Sequence, residues 1–199
     1  MKPDMYAVKQ LGLVKSKIVK CVVSFMMNRR MRLLVRTIIL ILVVGAVGFT
    51  IYRVVEGKQQ VKVGDVAPNF QLKNLDGKSV QLADFRGQGV VLNFWGSWCD
   101  PCKAEMPYIN EAMKSGIKGV TFLGVNIKES PVTVSSFLDK NGLDLPVVLD
   151  QNGVVTDAYG IVPIPTTFLI DKNGKVVKKI VGGMASVKEV EENIKLIQP

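Results

Sequence analysis

"GVVLNFWGSWCDPCKAEMP" runs from Gly89 to Pro107, and the organisation of the whole chain turns on it. Its first seven residues are apolar except for Asn93, a continuous run of the kind expected of a strand buried on both faces. Two cysteines follow, three apart, with Pro101 between them. Proline has no N–H to donate and fits only the first helical turn, where none is needed. A helix is therefore expected from about Cys99 to Ser115. Cys99 falls at the strand-to-helix turn, where unpaired N–H groups and the helix dipole favour a thiolate. Cys102 lies almost one turn on, within reach of a disulfide.

A metal, a fixed disulfide or a disulfide made and broken are the readings of this pair. A zinc site needs four ligands, and one C-x-x-C supplies two. The chain of 199 residues has three cysteines and no histidine. That removes His-containing zinc sites, imidazole base catalysis and His-ligated copper or haem. A structural disulfide would close a tiny loop and constrain the unfolded chain little. Three cysteines are too few for a stapled scaffold. The pattern favours a redox pair, with no metal and no cofactor, since the two sulfurs carry the electrons themselves.

Working outward, the elements alternate. "DGK" (Asp76–Lys78) is a turn between two short strands. "VTFLGVNI" (Val120–Ile127) reads as a second buried strand, and Pro131 opens a helix to about Asn141. "PVVLD" and "TTFLID" are strands separated by a short helix, Val154 to Tyr159. "DKNGK" (Asp171–Lys175) is a hairpin turn into "VVKKIVGG". Ser186 caps a last helix with Glu189 at the capping-box position. Trp95 reads as core. Parallel strands with helical crossovers and a closing hairpin make an α/β sheet covered on both faces.

The net charge of +9 resembles a nucleic-acid signal, but its distribution excludes that class of partner. Residues 1–36 carry nine Lys/Arg against Asp4, leaving +1 for the rest. Directly after Arg36, "TIILILVVGAVGFTIY" (Thr37–Tyr52) is uncharged and spans about 24 Å as a helix. With its apolar flanks it forms a transmembrane segment over 33–55, with Arg36 and Arg53 able to snorkel. Positive residues before the span keep the N-terminus in the cytoplasm and place the rest outside. "AVG" (Ala46–Gly48) is a passable cleavage site, but the apolar run continues past it, so an uncleaved signal-anchor is expected. No cysteine directly follows the run, which excludes a lipoprotein. Cys21, before the span, reads as an incidental free thiol.

The domain plan is a basic cytoplasmic segment 1–32, the anchor 33–55, a polar linker 56–62 and an extracytoplasmic domain 63–199. Leu11, Val14, Ile18, Val22 and Phe25 fall at helical spacing, as in a basic surface helix. "MNRRMRLLVRTIIL", from Met27, is already a complete anchor start. Met27 or Met31 is thus a candidate start, and residues 1–26 a candidate gene-model extension.

"FWGSWCDPCKAEMP", the earlier "APNFQL…DGKSVQLADFRG" and the later "IPTTFLIDKNGKVV" resemble the membrane-anchored, thioredoxin-like thiol–disulfide oxidoreductases of the ResA type. The resemblance implies a thioredoxin-like fold, a central mixed sheet flanked by helices behind one transmembrane helix. It implies an extracytoplasmic protein-disulfide reductase of Gram-positive bacteria, acting on the oxidised C-x-x-C of apocytochrome c so that haem can be attached. A membrane thiol transporter of the CcdA type would be the electron donor. Carried onto this sequence, Cys99 attacks as thiolate and Cys102 resolves the mixed disulfide. Trp98 flanks the sulfur, Pro101 starts the helix, and Pro165 is the cis-proline that presents the Ile164 backbone to an extended substrate.

Cytoplasmic thioredoxins place an aspartate where this chain has Asn93, so proton handling must come from elsewhere. Glu105, three residues after Cys102 and on its side of the helix, is the candidate catalytic acid. A partly buried carboxylate there would raise the thiol pKa values and exchange a proton with Cys102. Asp100, between the cysteines, is expected to raise them too, or merely to complement the helix start. Among rivals, a peroxiredoxin-like peroxide reductase shares the "VGDVAPNFQL" opening but needs a Thr-x-x-Cys site that Ser97 does not supply. Oxidases and isomerases usually carry His between the cysteines. A redox-dead binding module would not keep both cysteines. A sporulation or cell-wall substrate would use the same chemistry.

Overall fold

The computed structural model describes residues 29–56 and 60–199. The chain divides into two compact units, between Gly57 and Lys58. Among the described residues, the first holds the helix α1 (Arg29–Glu56). Its stretch Met31–Thr50 has a mean hydropathy of 2.4, and none of it is buried within the protein. The hydroxyls of Thr37 and Thr50 donate to carbonyls one turn back, Leu34 O at 2.8 Å and Ala46 O at 2.7 Å, so neither is left unpaired on an apolar surface. The twenty residues of this largely apolar stretch, at 1.5 Å each, are about 30 Å long, so α1 fits a single-pass membrane anchor. It begins a turn before the span read from sequence. The basic segment before it, including Cys21, and linker residues 57–59 lie outside the described residues.

The second unit is a seven-stranded mixed sheet. Its strands are β1 (Gln71–Asn74), β2 (Ser79–Gln81), β3 (Gly89–Trp95), β4 (Val120–Ile127), β5 (Val147–Asp150), β6 (Thr166–Ile170) and β7 (Val176–Val181), in the order β2-β1-β5-β4-β3-β6-β7. β3, β4 and β5 are parallel. Their crossovers are α2 (Asp100–Lys114) and α3 (Pro131–Lys140). β6 and β7 close the sheet as an antiparallel hairpin, β1 pairs antiparallel to β5, and α4 (Val154–Ala158) precedes β6. α5 (Val187–Lys195) ends the chain's regular structure. Chain entry into the core comes earlier than the 63 boundary expected from sequence, because Val61 is already buried.

Every residue of β3 is buried, as its continuous apolar run requires. Val90, Leu92 and Phe94 face one core, with Tyr159 and Phe168. By the two-residue period of a strand, Val91, Asn93 and Trp95 face the other side, where α2, α3 and α5 pack. α2 turns inward the stripe Cys102, Glu105, Met106 and Ile109, the 3–4 spacing of an amphipathic helix. Ser130 caps α3 by accepting from Thr133 N. Ser186 caps α5 through Glu189 N, but the Glu189 carboxylate accepts from Ala185 N, one residue before the position a capping box predicts.

Trp95 lies across the neighbouring strand. A Cβ on Gly124 of β4 would stand 2.9 Å from its indole nitrogen, too close for any side chain. Gly124→Ala must therefore push the indole out of a fully packed site. The expected loss is about 1–3 kcal/mol, read as a lower urea midpoint of the full chain in detergent.

Candidate active site

Cys99 and Cys102 form a disulfide with a Cα–Cα distance of 5.2 Å. Cys99 is the N-cap of α2: the Cys102 backbone N–H points at its sulfur, N to Sγ 3.2 Å. The sulfur of the reduced form thus meets an amide donor as well as the positive end of the helix, both of which favour thiolate. Cys102 is wholly buried and Cys99 retains slight exposure, so an incoming disulfide meets Cys99 first. Cys99 Sγ lies 3.7 Å from the Ile164 carbonyl oxygen. A disulfide sulfur has no hydrogen to give, so this contact becomes an S–H donor bond only after reduction. The Ile164–Pro165 peptide bond is cis, as the sequence led one to expect.

Pro101 occupies the first turn of α2 and is exposed. The Trp98 indole is 63% exposed and folds back over Gly96, where a Cβ would stand 2.7 Å from its nitrogen. Asp100 is fully solvated and paired with Lys103 at 2.5 Å. The Lys103 hydrogen bond and charge hold its carboxyl below the usual range. Its charge is thus partly offset by a lysine one turn on and screened by water.

Glu105 is more enclosed than the sequence indicated, at 1% exposure. Its two oxygens accept separate bonds, Oε1 from Asn93 Nδ2 at 2.9 Å and Oε2 from Met184 N at 3.0 Å. Asn93 gives its other amide proton to Thr167 Oγ1 at 2.8 Å. Burial pushes the Glu105 carboxyl up, against those two bonds, which hold it down. Gly183 packs closely against the start of α2: a Cβ there would stand 3.2 Å from the Pro101 carbonyl oxygen, a tight contact. Asn93 thus replaces an acid with a donor that holds an acid on the facing helix.

A second acidic group at the site went unnoticed in the sequence. Glu129, just beyond β4, accepts from Ser97 N and from Asn126 Nδ2, both at 2.7 Å, and from the Ser97 hydroxyl. The signal that would have found it is topological. β3 and β4 are parallel with Trp95 opposite Asn126, so the turns after them emerge side by side.

The Redoxin family profile matches residues 62–194. Thiol-disulfide oxidoreductase ResA of Geobacillus thermodenitrificans is 46% identical over 175 residues, covering 87% of this chain and all of the relative. The protein of the same name from Bacillus subtilis is 44% identical over 175 residues, 87% of this chain and 97% of its own. This chain belongs to the ResA-type thiol–disulfide oxidoreductases. Among solved structures, a putative thiol:disulfide interchange protein DsbE from Chlorobium tepidum superposes with a TM-score of 0.63 at 36% identity, over 68% of this chain and 97% of that one. StoA from Bacillus subtilis gives 0.57 at 31% identity, over 64% and 97%. With the cysteine pair at disulfide distance, the chain is a thiol–disulfide oxidoreductase of thioredoxin-like fold.

The raised Glu105 carboxyl has a consequence for stability. The folded protein holds this proton to higher pH than the unfolded chain does, so folding binds a proton in between. Stability falls as pH rises through that window, and the cost is complete above the folded value. Glu105→Gln removes the charge. Its amide oxygen can accept from Met184 N, and a flipped Asn93 can accept from its Nε2. The variant is expected to melt about 3 °C higher than wild type near pH 8, with the gap closing below about pH 4. A variant less stable than wild type across that range would show the charged form to be the favoured one.

Proposed function

We propose that the protein is an extracytoplasmic reductant of protein disulfides, and that its substrate is the C-x-x-C disulfide of apocytochrome c. The observation that carries this reading is the asymmetry of the two sulfurs: Cys99 reachable beside the Ile164 carbonyl, Cys102 sealed beneath it. An extended peptide running along Ile164–Pro165 would bring its disulfide to Cys99, with Trp98 and Pro101 as exposed apolar contacts. The Cys99 thiolate attacks one substrate sulfur; that S–S bond breaks and the other sulfur leaves as thiolate. The Cys102 thiol passes its proton to a base and attacks Cys99 Sγ, releasing the second substrate thiolate. Two electrons have moved to the substrate and the Cys99–Cys102 disulfide remains. A membrane thiol transporter of the CcdA type is the proposed donor that reduces it again.

Glu105 supports the reductive direction. It follows Cys102 by one turn, about 5–6 Å between Cβ atoms, and is almost completely buried. A carboxylate there disfavours a nearby thiolate, and a reduced form that is not stabilised gives up its electrons readily. The same carboxyl is the proposed base for Cys102. Helix α1, with the positive residues before it, supports an N-terminus in the cytoplasm and a catalytic domain outside.

Three measurements test these proposals. Cys102→Ser should accumulate a mixed disulfide through Cys99 with an oxidised C-x-x-C-H peptide, whereas better trapping by Cys99→Ser would reverse the assigned roles. A strain lacking the gene should lose c-type cytochromes and regain them with wild type but not with Cys99→Ser. Normal cytochrome content in that strain would assign the chemistry to another extracytoplasmic disulfide. Protease added to intact protoplasts should digest the domain, and full protection would overturn its placement.

A further inference from the structure

Glu129 is bonded on both carboxylate oxygens, and its partners are not incidental. It captures both hydrogen-bond donors of Ser97, the backbone N–H and the hydroxyl. Ser97 is two residues from Cys99, inside the turn closed by Cys99 N donating to Gly96 O at 3.1 Å. On the other side, Asn126 is wholly buried, and its Nδ2 fixes Glu129 Oε2. The backbone that delivers Glu129 is unusual. Lys128, immediately before it, is at φ 56°, the only non-glycine residue with positive φ among the described residues. Its N–H is tied to Asp150 O at 3.1 Å. A side chain in that region is disfavoured on its own, and here it turns the chain from the end of β4 back toward the active-site loop.

We infer that Glu129 is a positioning residue for the thiol chemistry, a carboxylate clamp that holds the Gly96–Ser97–Trp98 turn so that Cys99 stays at the N-cap of α2. The inference rests on Cys99 being the attacking sulfur. The clamp acts through hydrogen bonds, not through its charge. Cys99 keeps its amide donor only while the turn before the helix is fixed. If Ser97 is released, the Cys99 sulfur can leave both Cys102 N and the Ile164 carbonyl. The charged residues on the elements that meet at the turn include Asp100, Lys103 and Glu105 on α2, and Lys128 beside Glu129 itself.

Two conservative variants separate position from charge. In Glu129→Gln the amide oxygen can accept from Ser97 N and Asn126 Nδ2, and the amide nitrogen can donate to the Ser97 hydroxyl, so every bond survives without the charge. In Glu129→Asp the charge survives, but the side chain is one methylene short of Ser97. The reduced full chain in detergent is alkylated with iodoacetamide across pH, following Cys99, and reduction of an oxidised C-x-x-C-H peptide is measured in parallel. Glu129→Gln should stay within about twofold of wild type in both. Glu129→Asp should alkylate at Cys99 about fivefold more slowly near neutral pH, with the profile displaced to higher pH, and lose about tenfold in peptide reduction. Wild-type behaviour of Glu129→Asp, or equal losses in both variants, would overturn the clamp. Alkylation needs no substrate: a wild-type protein inert toward the peptide but with the Gln and Asp profiles still separated would sink the proposed substrate and leave the clamp standing.

Discussion

A carboxylate with almost no access to water joins the three parts that make the site. Glu105 projects from α2, takes one hydrogen bond from Asn93 in the centre of the sheet and another from the backbone just after β7. An ionised carboxyl cannot stay in such a place without donors, so its presence constrains its surroundings. The strand must carry an amide where a second acid would repel. The segment after β7 must pass within reach of the first turn of α2, which is why Gly183 sits against the Pro101 carbonyl. Thr167 must stand on β6 opposite Asn93 to take the remaining amide proton. The carboxylate thus fixes how α2, and with it both cysteines, is seated on the sheet.

Much of this was legible in the sequence because it is local. A seven-residue apolar run gives β3, proline two residues past Cys99 gives the start of α2, and Ser130 and Ser186 mark two further helix starts. The inward place of Glu105 follows from its spacing to Cys102, Met106 and Ile109. What was not legible is carried by pairs far apart in the chain. Met184 donates through its backbone, which leaves no side-chain signature. Glu129 and Ser97 are brought together only by the register of two parallel strands. The solvated pairing of Asp100 with Lys103 was visible as an i, i+3 spacing, yet its consequence, an offset charge, came out only with the geometry.

The two acids nearest the cysteines on α2 illustrate why position outweighs identity. Asp100 lies between them in sequence but stands in water beside a lysine, so its field at the sulfurs is weak. Glu105 lies beyond them in sequence but on the buried side of α2 that carries Cys102, and among the described residues no cation pairs with it. Low dielectric magnifies its interaction with a neighbouring charge. The same carboxyl that destabilises the folded state when ionised therefore disfavours a second negative charge on the sulfur one turn away. Removing it would relieve the fold and shift the balance between thiol and disulfide together, the expected relation between stability and function at a site that holds a buried charge.

Glu129 differs from Glu105 in what surrounds it. It is part-exposed and accepts from two donors of one loop residue and from a buried amide, an arrangement suited to holding backbone in place. Glu105 accepts from one side chain and one distant backbone group, and is dry enough that its protonation state matters to its neighbours. One acid is placed to tune the sulfurs, the other to hold the turn that carries the first of them. Both lie at the end of the parallel strands where consecutive turns emerge together. That shared end is reached because β3 and β4 run in the same direction, and their pairing follows from two largely apolar runs buried almost throughout. The chemistry at Cys99 is in this sense a consequence of how β3 and β4 are buried: the strands that fill the core also deliver the loop, and the group that holds it, to the same edge.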